Sequence, residues 1–127
     1  MPKSYYHDNN VLNASLRGVP FTPPVASYVA LFTSSPTRSG GGTEVSGGGY
    51  SRQIVTWTAP VNGQSSNATD ITFAVATAVW GTVVTYALMD APVGGNILYY
   101  ADMNSPQTVV LNSQVKFTAG QLQAIED

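Results

Sequence analysis

The sequence has 127 residues, of which 43% are hydrophobic and only 9% are charged, against about 25% charged residues in an average soluble domain. This length suffices for a single domain with its own hydrophobic core. The formal net charge is −2, and the five basic residues are spread along the chain, which argues against a cationic face for nucleic acid. Without cysteine, the chain has neither disulfides nor thiolate metal sites.

So few charges predict a surface of Ser, Thr, Asn, Gln and Gly, which protects poorly against self-association. This composition fits a protein that is covered in an assembly, and it also fits many small β domains. The first residues lack the apolar core of a signal peptide, and no run approaches about 18 apolar residues. We therefore expect a protein that is made in the cytoplasm and has no membrane partner.

The one convincing helix candidate covers residues 4–17. Ser4 or Asp8 is suited to cap its start, and Gly18 is suited to end it. The prolines that follow prevent the helix from continuing. We therefore predict an N-terminal helix or arm at residues 1–20, followed by a β domain at residues 21–127.

Tyr5, Leu12 and Leu16, with Val11, lie roughly at helical spacing and give this helix an apolar stripe. The stripe indicates either a short helix that closes one end of the β core or an arm that docks on a neighbouring subunit. Aromatic anchors are common at interfaces, and in the second interpretation Tyr5 and Tyr6 are the anchors. The candidate interface residues are Tyr5, Tyr6, Leu12, Leu16 and Phe21.

The first predicted strand follows an extended, proline-stiffened segment. Residues 25–33 carry no charge, so we expect them to form a central strand. Residues 34–50 contain two glycine triplets, which favour a long, flexible excursion over regular structure. A loop of this length inside a compact domain is usually functional or mobile.

Two further strands are predicted in the middle of the chain, at residues 52–58 and 69–75. The second alternates cleanly between apolar and polar residues, which is typical of a half-buried antiparallel strand. Its inward-facing residues are expected to include Ile71, Phe73 and Val75.

Residues 80–100 predict a central hairpin of two apolar strands. Pro, Gly and Asn between positions 90 and 96 supply the turn. Another turn is expected at residues 104–106. Three short strands are predicted after it, at residues 107–111, 114–117 and 121–125.

The predicted fold is all-β. About eight short strands with turn signals between them favour a single-domain antiparallel β-sandwich with a short N-terminal helix. Jelly-roll connections are one variant of this sandwich, and a closed barrel is the second choice. No strand alternates with a helix, which argues against a parallel α/β sheet.

The inventory of catalytic residues is thin. His7 is the only histidine, and a zinc site needs three or four ligands, so we expect it to be solvated or at an interface. No serine lies in a Gly-x-Ser-x-Gly elbow. A glycosidase needs two carboxyl groups about 5–9 Å apart. Asp90 and Asp102 flank the same hairpin and could be such neighbours. Asp90 also suits an ordinary turn. We predict no catalytic residue, no metal site and no cofactor.

The glycine triplets and the aromatic residues have simpler interpretations than binding sites. A phosphate-binding loop requires Gly-Lys-Ser/Thr at the start of a helix, and the triplets lack it. Aromatic rings stack on sugars, but in a sandwich they more often belong to the core. The residues concerned are Trp57, Trp80, Tyr86, Tyr99 and Tyr100.

Three segments together resemble a family of small phage and prophage proteins that are commonly labelled tail fibre proteins. The first is LNASLRGVPFTPPVASYVALFTSSPT at residues 12–37, a short helix leading into a proline pair and an ALFT strand. The second is GGGTEVSGGGYSRQIVTW at residues 40–57, and the third is ITFAVATAVWGTVVTYALMDAPVGGNILYY at residues 71–100. The resemblance covers nearly the whole chain.

This resemblance implies a non-enzymatic component of the phage particle, made in the cytoplasm of the bacterial host. A compact domain with one core is too short for a fibre shaft, which favours a capsid decoration (cement) protein that stabilises the particle. The alternative is a tail fibre or tail adaptor domain involved in binding a host-receptor glycan.

The expected partners are other virion proteins, either the major capsid protein or tail proteins. Neither nucleic acid nor a membrane is expected as a partner. We also expect a homo-oligomer, with a trimer favoured by analogy alone.

Overall fold

The computed structural model describes residues 1–126. These residues form one helix, α1 (Tyr5–Leu16), and nine strands, all of which pair antiparallel. The strands are β1 (Ser27–Ser34), β2 (Thr43–Glu44), β3 (Gln53–Val55), β4 (Gln64–Ser66), β5 (Ile71–Thr72), β6 (Gly81–Met89), β7 (Ile97–Val109), β8 (Lys116–Phe117) and β9 (Gln123–Ile125). The predicted all-β sandwich with a short N-terminal helix is confirmed.

The main sheet has the strand order β2-β1-β6-β7, and β3 also pairs with β1. The central hairpin is the long β6–β7 pair, as predicted. Two small sheets, β4–β9 and β5–β8, form a second layer. The sandwich therefore places its longest, most apolar strands in one layer and short strands with loops in the other.

The main core lies between the two layers. Val29 and Leu31 of β1 point into it and are fully buried. Phe73 is 1% exposed, stacks on Tyr50 and meets Trp80 edge to face. The other buried members are Val45, Val55, Ile71, Ala76, Val83, Leu88, Val109, Val115, Phe117 and Leu122.

The opposite face of the main sheet has a smaller apolar cluster. Since side chains alternate along a strand, Ala30 and Phe32 of β1 point away from the main core. They pack with Ala87, Met89 and Ile97 of the central hairpin. This second face lies beside α1 and the glycine-rich segment.

Local sequence signals explain α1. Ser4 has extended backbone geometry and its hydroxyl accepts a hydrogen bond from the His7 amide at 3.2 Å, so Ser4 is the N-cap. Gly18 takes φ +65° after the last turn, which is the usual way for a helix to end. The helix prediction is confirmed, and of the two suggested caps Asp8 is the one not used.

The turn predicted at residues 104–106 is wrong, because β7 continues through it. Val83 faces Gln107 and Thr85 faces Asp102, so four residues of β7 lie opposite the single residue between Val83 and Thr85. This arrangement is a large β-bulge of the special class, with more than the usual one extra residue. It accommodates Pro106, which cannot donate to a regular ladder.

Two details of the predicted strands also differ. β1 begins at Ser27 rather than residue 25, and Val25 is fully exposed. Val75 was predicted to point inward but is 46% exposed, whereas Ala76 is fully buried. Regular pairing in this region ends at Thr72, so strict alternation no longer applies after it.

The glycine-rich segment is tied to the sheet, contrary to the predicted long, flexible excursion. It contains β2, and Val45 is buried with its amide donating to the Leu31 carbonyl at 2.9 Å. The Trp80 indole donates to the Gly48 carbonyl at 2.9 Å. The two triplets are therefore tight turns on either side of a short edge strand.

Candidate functional site

An open cleft of about 470 Å³ lies on the second face of the main sheet, and we call it the N-terminal cleft. Its walls are the start of α1, the first glycine triplet and the turn of the central hairpin. Phe32, Met89 and Ile97 line it from the sheet. The backbone amide of Tyr5 donates to the Arg38 carbonyl at 2.8 Å, which joins the helix to the glycine-rich segment.

An ion pair fixes the wall of the cleft that the hairpin turn provides. The Arg52 guanidinium donates to both carboxylate oxygens of Glu44, at 2.8 Å each. It also donates to the carbonyls of Ala91 at 2.8 Å and Gly94 at 2.7 Å. Since the Arg52 side chain is only 6% exposed, this guanidinium ties the β2 edge to the turn.

Tyr50 completes this arrangement. Its hydroxyl donates to Glu44 at 2.6 Å and accepts from the Leu31 amide at 3.0 Å. Burial opposes ionisation of Glu44, but the hydrogen bonds from Arg52 and Tyr50 outweigh it and lower the pKa of Glu44. Burial, together with the neighbouring carboxylate, raises the pKa of Tyr50. Glu44 is therefore a structural anion held by its neighbours.

A polar cluster joins α1 to the first residues of β7, and we call it the N-terminal polar cluster. It comprises Lys3, His7, Asp8, Tyr99 and Glu126. Lys3 forms ion pairs with Glu126 and with Asp8, the latter at 3.8 Å. Tyr99 donates to Glu126, and its oxygen lies 3.3 Å from His7 Nε2.

His7 is buried, which rules out the solvated alternative, whereas the interface alternative stays a prediction. Its ring packs edge-on against Tyr99 at 4.9 Å and Phe21 at 5.9 Å between ring centroids. Its Nδ1 atom is buried without a hydrogen-bond partner. Burial lowers the pKa of His7, an effect that Glu126 opposes and Lys3 reinforces. The neutral imidazole is the form that this site favours.

The predicted interface residues fall into two groups. Four are exposed: Tyr5 by 53%, Tyr6 by 42%, Leu12 by 53% and Leu16 by 77%. Phe21 is instead half-buried against His7 and holds the end of the helical arm. The structure therefore exposes four of the five candidates and gives Phe21 an internal contact.

Tyr5, Leu12 and Leu16 share one side of α1, because their spacings of seven and four residues are whole turns of a helix. We call this surface the outer stripe. Only His7 of the twelve helical residues is buried. The helix therefore exposes Tyr5, Leu12 and Leu16, whereas Val11 of the predicted stripe is partly buried.

The aromatic residues considered for sugar binding are mostly engaged inside the fold. Trp80 is 6% exposed and belongs to the main core, so it cannot stack on a ligand. Tyr86 packs against Phe117, and the Trp57 indole donates to the Ser27 hydroxyl at 2.7 Å. The suggestion that these rings form a common sugar-binding face is therefore wrong for Trp80.

Asp90 and Asp102 are not neighbours. In the hairpin register, Asp102 lies opposite Thr85, five residues along β6 from Asp90, which corresponds to about 17 Å. Asp90 accepts from the Asn96 amide at 2.7 Å, which is the turn role expected of it. Thr85 donates to Asp102 at 3.0 Å.

Neither metal ligands nor a membrane helix occur in the described part of the chain. No three His, Asp or Glu side chains in residues 1–126 come together as a metal site would require. Within the same residues, α1 falls short of the length and apolarity that a membrane-crossing helix needs.

The family model of Podophage GP4 fiber I protein gp80 matches residues 2–125. The chain belongs to this family. No curated protein matches it. The fiber I family consists of phage structural proteins, so the protein is a component of the virion and is made in the host.

The fiber I assignment agrees with the segments that carried the resemblance, and the structure explains one of them. The segment GGGTEVSGGGYSRQIVTW contains Glu44, Tyr50 and Arg52, the three residues that tie the edge of the sheet to the hairpin turn. Sequence analysis missed them. The sequence did contain a signal for the ion pair. Glu44 and Arg52 are two of the few charged residues, have opposite signs and lie on either side of the second glycine triplet.

Proposed function

We propose that this protein is a non-enzymatic structural domain of the phage fibre, and that the outer stripe of α1 attaches it to other virion proteins. The supporting observation is the exposure of Tyr5, Leu12 and Leu16 on a helix whose one buried residue is His7. Exposed apolar patches on a charge-poor protein mark interaction sites.

The non-enzymatic part of the proposal rests on what the acidic residues do. Each of the six acids in residues 1–126 is engaged by a neighbour within the chain. Asp70, for example, accepts from the Ala119 amide at 2.8 Å and pairs with Lys116 at 3.3 Å. General acid–base chemistry needs carboxyl groups that face a substrate across a cleft. The partners of the other five are Arg38 for Asp8, Arg52 for Glu44, Asn96 for Asp90, Thr85 for Asp102 and Lys3 for Glu126.

In this proposal residues 1–20 act as an attachment arm and residues 21–127 as the β domain. The fibre context supplies the partners, namely other virion proteins and further copies of the chain. A homo-oligomer suits a surface with so few charges. A trimer is the state that we favour by analogy with other fibres.

Host recognition belongs to the same proposal. A tail fibre or tail adaptor domain that binds a host-receptor glycan needs an accessible cleft with aromatic rings and polar groups. The N-terminal cleft offers the exposed Tyr5 and Tyr6 rings and the first glycine triplet. The Arg38 guanidinium lies 4.9 Å above the Tyr5 ring centroid, which orients that ring.

Incorporation into particles tests the role of the outer stripe. We expect the double substitution L12S/L16S to keep the fold, because both side chains are largely exposed, and to reduce the amount of protein in purified particles at least tenfold. The control is L111S, since Leu111 is 57% exposed and lies outside the arm. Equal incorporation of both variants would show that the outer stripe is not the attachment surface.

A capsid decoration (cement) role is the second candidate. It is favoured by the compact sandwich, in which one core joins all the sheets, and by the absence of any shaft-like repeat in the described residues. Antibody labelling of intact particles, viewed by electron microscopy, separates the two candidates. Label on the tail supports the fibre domain, and label over the capsid surface supports decoration.

A further inference from the structure

The main sheet ends at β7, and the first residues of the chain cover part of its outer edge. The Ser4 amide donates to the Leu98 carbonyl at 3.1 Å, and the Tyr100 amide donates to the Pro2 carbonyl at 3.1 Å. Lys3 therefore lies directly opposite Tyr99. Residues 2–4 thus add a short antiparallel strand to the sheet, which is how an extended peptide binds a sheet edge.

The rest of the arm is held mainly by polar groups. Ser4 and His7 are its only buried residues in the range 1–20. The ion pairs of Lys3 and Asp8 belong to the N-terminal polar cluster, in which these two side chains are 11% and 18% exposed. Hydrophobic stabilisation scales with the apolar area removed from water, so detaching this arm exposes little of it. The main core, in contrast, contains no residue of the arm other than Met1 at its margin.

An exposed segment connects the arm to the β domain. Phe21, one residue past the arm, packs on His7, and we expect it to move with the arm. Residues 22–26 then lead to β1, and Val25 within them is fully exposed. Pro23 and Pro24 fix φ and favour an extended chain, which spans about 15 Å over five residues. The connection is long enough to direct the arm away from its own β7.

We propose that the arm exchanges between copies of this protein, so that residues 2–4 of one copy pair with β7 of a second copy. The contacts are the same in both arrangements, so exchange requires no new chemistry. A stiff proline segment and an arm held mainly by polar contacts, which water can replace, both lower the cost of opening. This inference concerns the inner contacts of the arm, whereas the proposed attachment rests on its outer stripe, so either can fail alone.

Cysteine pairing tests the exchange, because the natural chain has no cysteine. Two full-length variants, K3C and Y99C, are purified separately, mixed and oxidised. Lys3 and Tyr99 form a non-hydrogen-bonded antiparallel pair, whose Cα atoms are about 4.5 Å apart and within disulfide range. We expect a mixed disulfide between the two variants that accumulates well above the level of either homodimer.

The control is the same mixing experiment with T82C and T108C. Thr82 and Thr108 face each other across β6 and β7, and their hydroxyl oxygens are 3.1 Å apart. Both belong to the hairpin of one chain, so exchange of the arm does not bring them together across copies. Formation of the K3C–Y99C disulfide no faster than the T82C–T108C disulfide would overturn the proposal.

A measurement on the wild-type protein guards against disturbance of the polar cluster by the cysteine variants. Half of the chains are labelled with ¹³C and ¹⁵N and mixed with unlabelled chains. Arm exchange predicts an isotope-filtered nuclear Overhauser effect between the Hα atoms of Lys3 and Tyr99 of different chains. If this contact is found only within a chain at every protein concentration, the arm does not exchange.

Discussion

The two faces of the main sheet are stabilised in different ways. On one face, Phe73, Trp80 and the other residues of the main core form a continuous apolar cluster of fourteen buried residues. On the other face the buried cluster has five members, among them Phe32 and Met89, and its surroundings are the Glu44–Arg52 ion pair and the start of α1. One face therefore carries the stability of the domain, and the other is available for contacts outside it.

If the proposed attachment is right, this difference lets a small charge-poor domain form both a core and an interaction surface. Burial of apolar area dominates the first face, where each large side chain removes area from water at about 25 cal/mol per Å². Directional polar contacts dominate the second face, and each of them contributes little net free energy. Substitutions on the two faces should therefore differ in size and in kind.

The largest effect is expected at the centre of the main core. Phe73→Ala removes a ring that is 1% exposed and contacts Tyr50, Trp80 and Phe117. We expect it to lower the free energy of unfolding by about 3–5 kcal/mol, measured by urea denaturation. The matched control is Val75→Ala, two residues away and 46% exposed, which should change it by less than about 0.5 kcal/mol. Similar losses for both would contradict the assignment of the core.

The next largest effect is expected at the ion pair of the second face. Glu44→Ala leaves the Arg52 guanidinium buried with its carbonyl acceptors alone. Removing one partner of a fully buried pair costs about 3–5 kcal/mol, and since the Glu44 side chain is 26% exposed we expect roughly 2–3 kcal/mol in urea denaturation.

The control for Glu44 is the exposed pair of Asp70 and Lys116, whose side chains are each about half exposed. Lys116→Met should leave the stability nearly unchanged, because solvent screens such pairs. The double variant E44A/R52M should recover part of the loss, since it removes the uncompensated charge. If the double variant is no more stable than Glu44→Ala, burial of the charge is not the reason for the loss.

Much of the fold could be predicted from local signals. The Ser4 cap, the terminating Gly18 and the apolar runs on both sides of residues 90–96 each depend on nearby residues, and all three predictions are confirmed. The bulge in β7 could not be predicted, because Asn-Ser-Pro favours a turn locally. The neighbouring β6 extends past it and keeps the chain in the sheet, which is a tertiary effect.

The candidate site was less predictable than the fold. Tyr5, Leu12 and Leu16 were identified as an apolar stripe, but periodicity cannot show whether such a stripe faces a core or solvent. The pairing of Glu44 with Arg52 depends on two turns folding back on one edge strand. Burial of His7 likewise depends on Tyr99, which is 92 residues away in the chain. These contacts are set by topology, which single-residue chemistry does not reveal.

A smaller effect is expected where the glycine-rich segment touches the main core. A Cβ atom at Gly48 would lie 2.8 Å from the Trp80 indole nitrogen, whereas one at Gly47 would meet nothing within 4 Å. Both glycines have positive φ, so alanine strains the backbone equally at each. Gly48→Ala should therefore cost about 1–2 kcal/mol more than Gly47→Ala in urea denaturation. Equal costs would show that Trp80 does not hold this segment.

The smallest effect is a pH dependence that belongs to the N-terminal polar cluster. Burial lowers the pKa of His7 below its ordinary value of 6.5, so the unfolded chain binds this proton more readily than the folded one. The stabilisation is complete above about pH 6.5 and is lost as the pH falls from there towards the folded pKa. The wild-type free energy of unfolding should therefore decrease in this window.

Glu126 beside His7 and Glu44 in the cleft take up protons at lower pH. Their contribution to stability is therefore separate from that of His7. Hydrogen bonds and ion pairs outweigh burial and lower the pKa of Glu126 and Glu44, so their stabilisation is lost only below about 4.5. Urea denaturation of wild type and His7→Gln between pH 8 and pH 5.5 therefore isolates the histidine. We expect wild type to lose stability over this range and His7→Gln to stay constant. If the free energy of unfolding changes equally with pH in both proteins, a group other than His7 takes up the proton. His7 would then not be the titrating group of the N-terminal polar cluster.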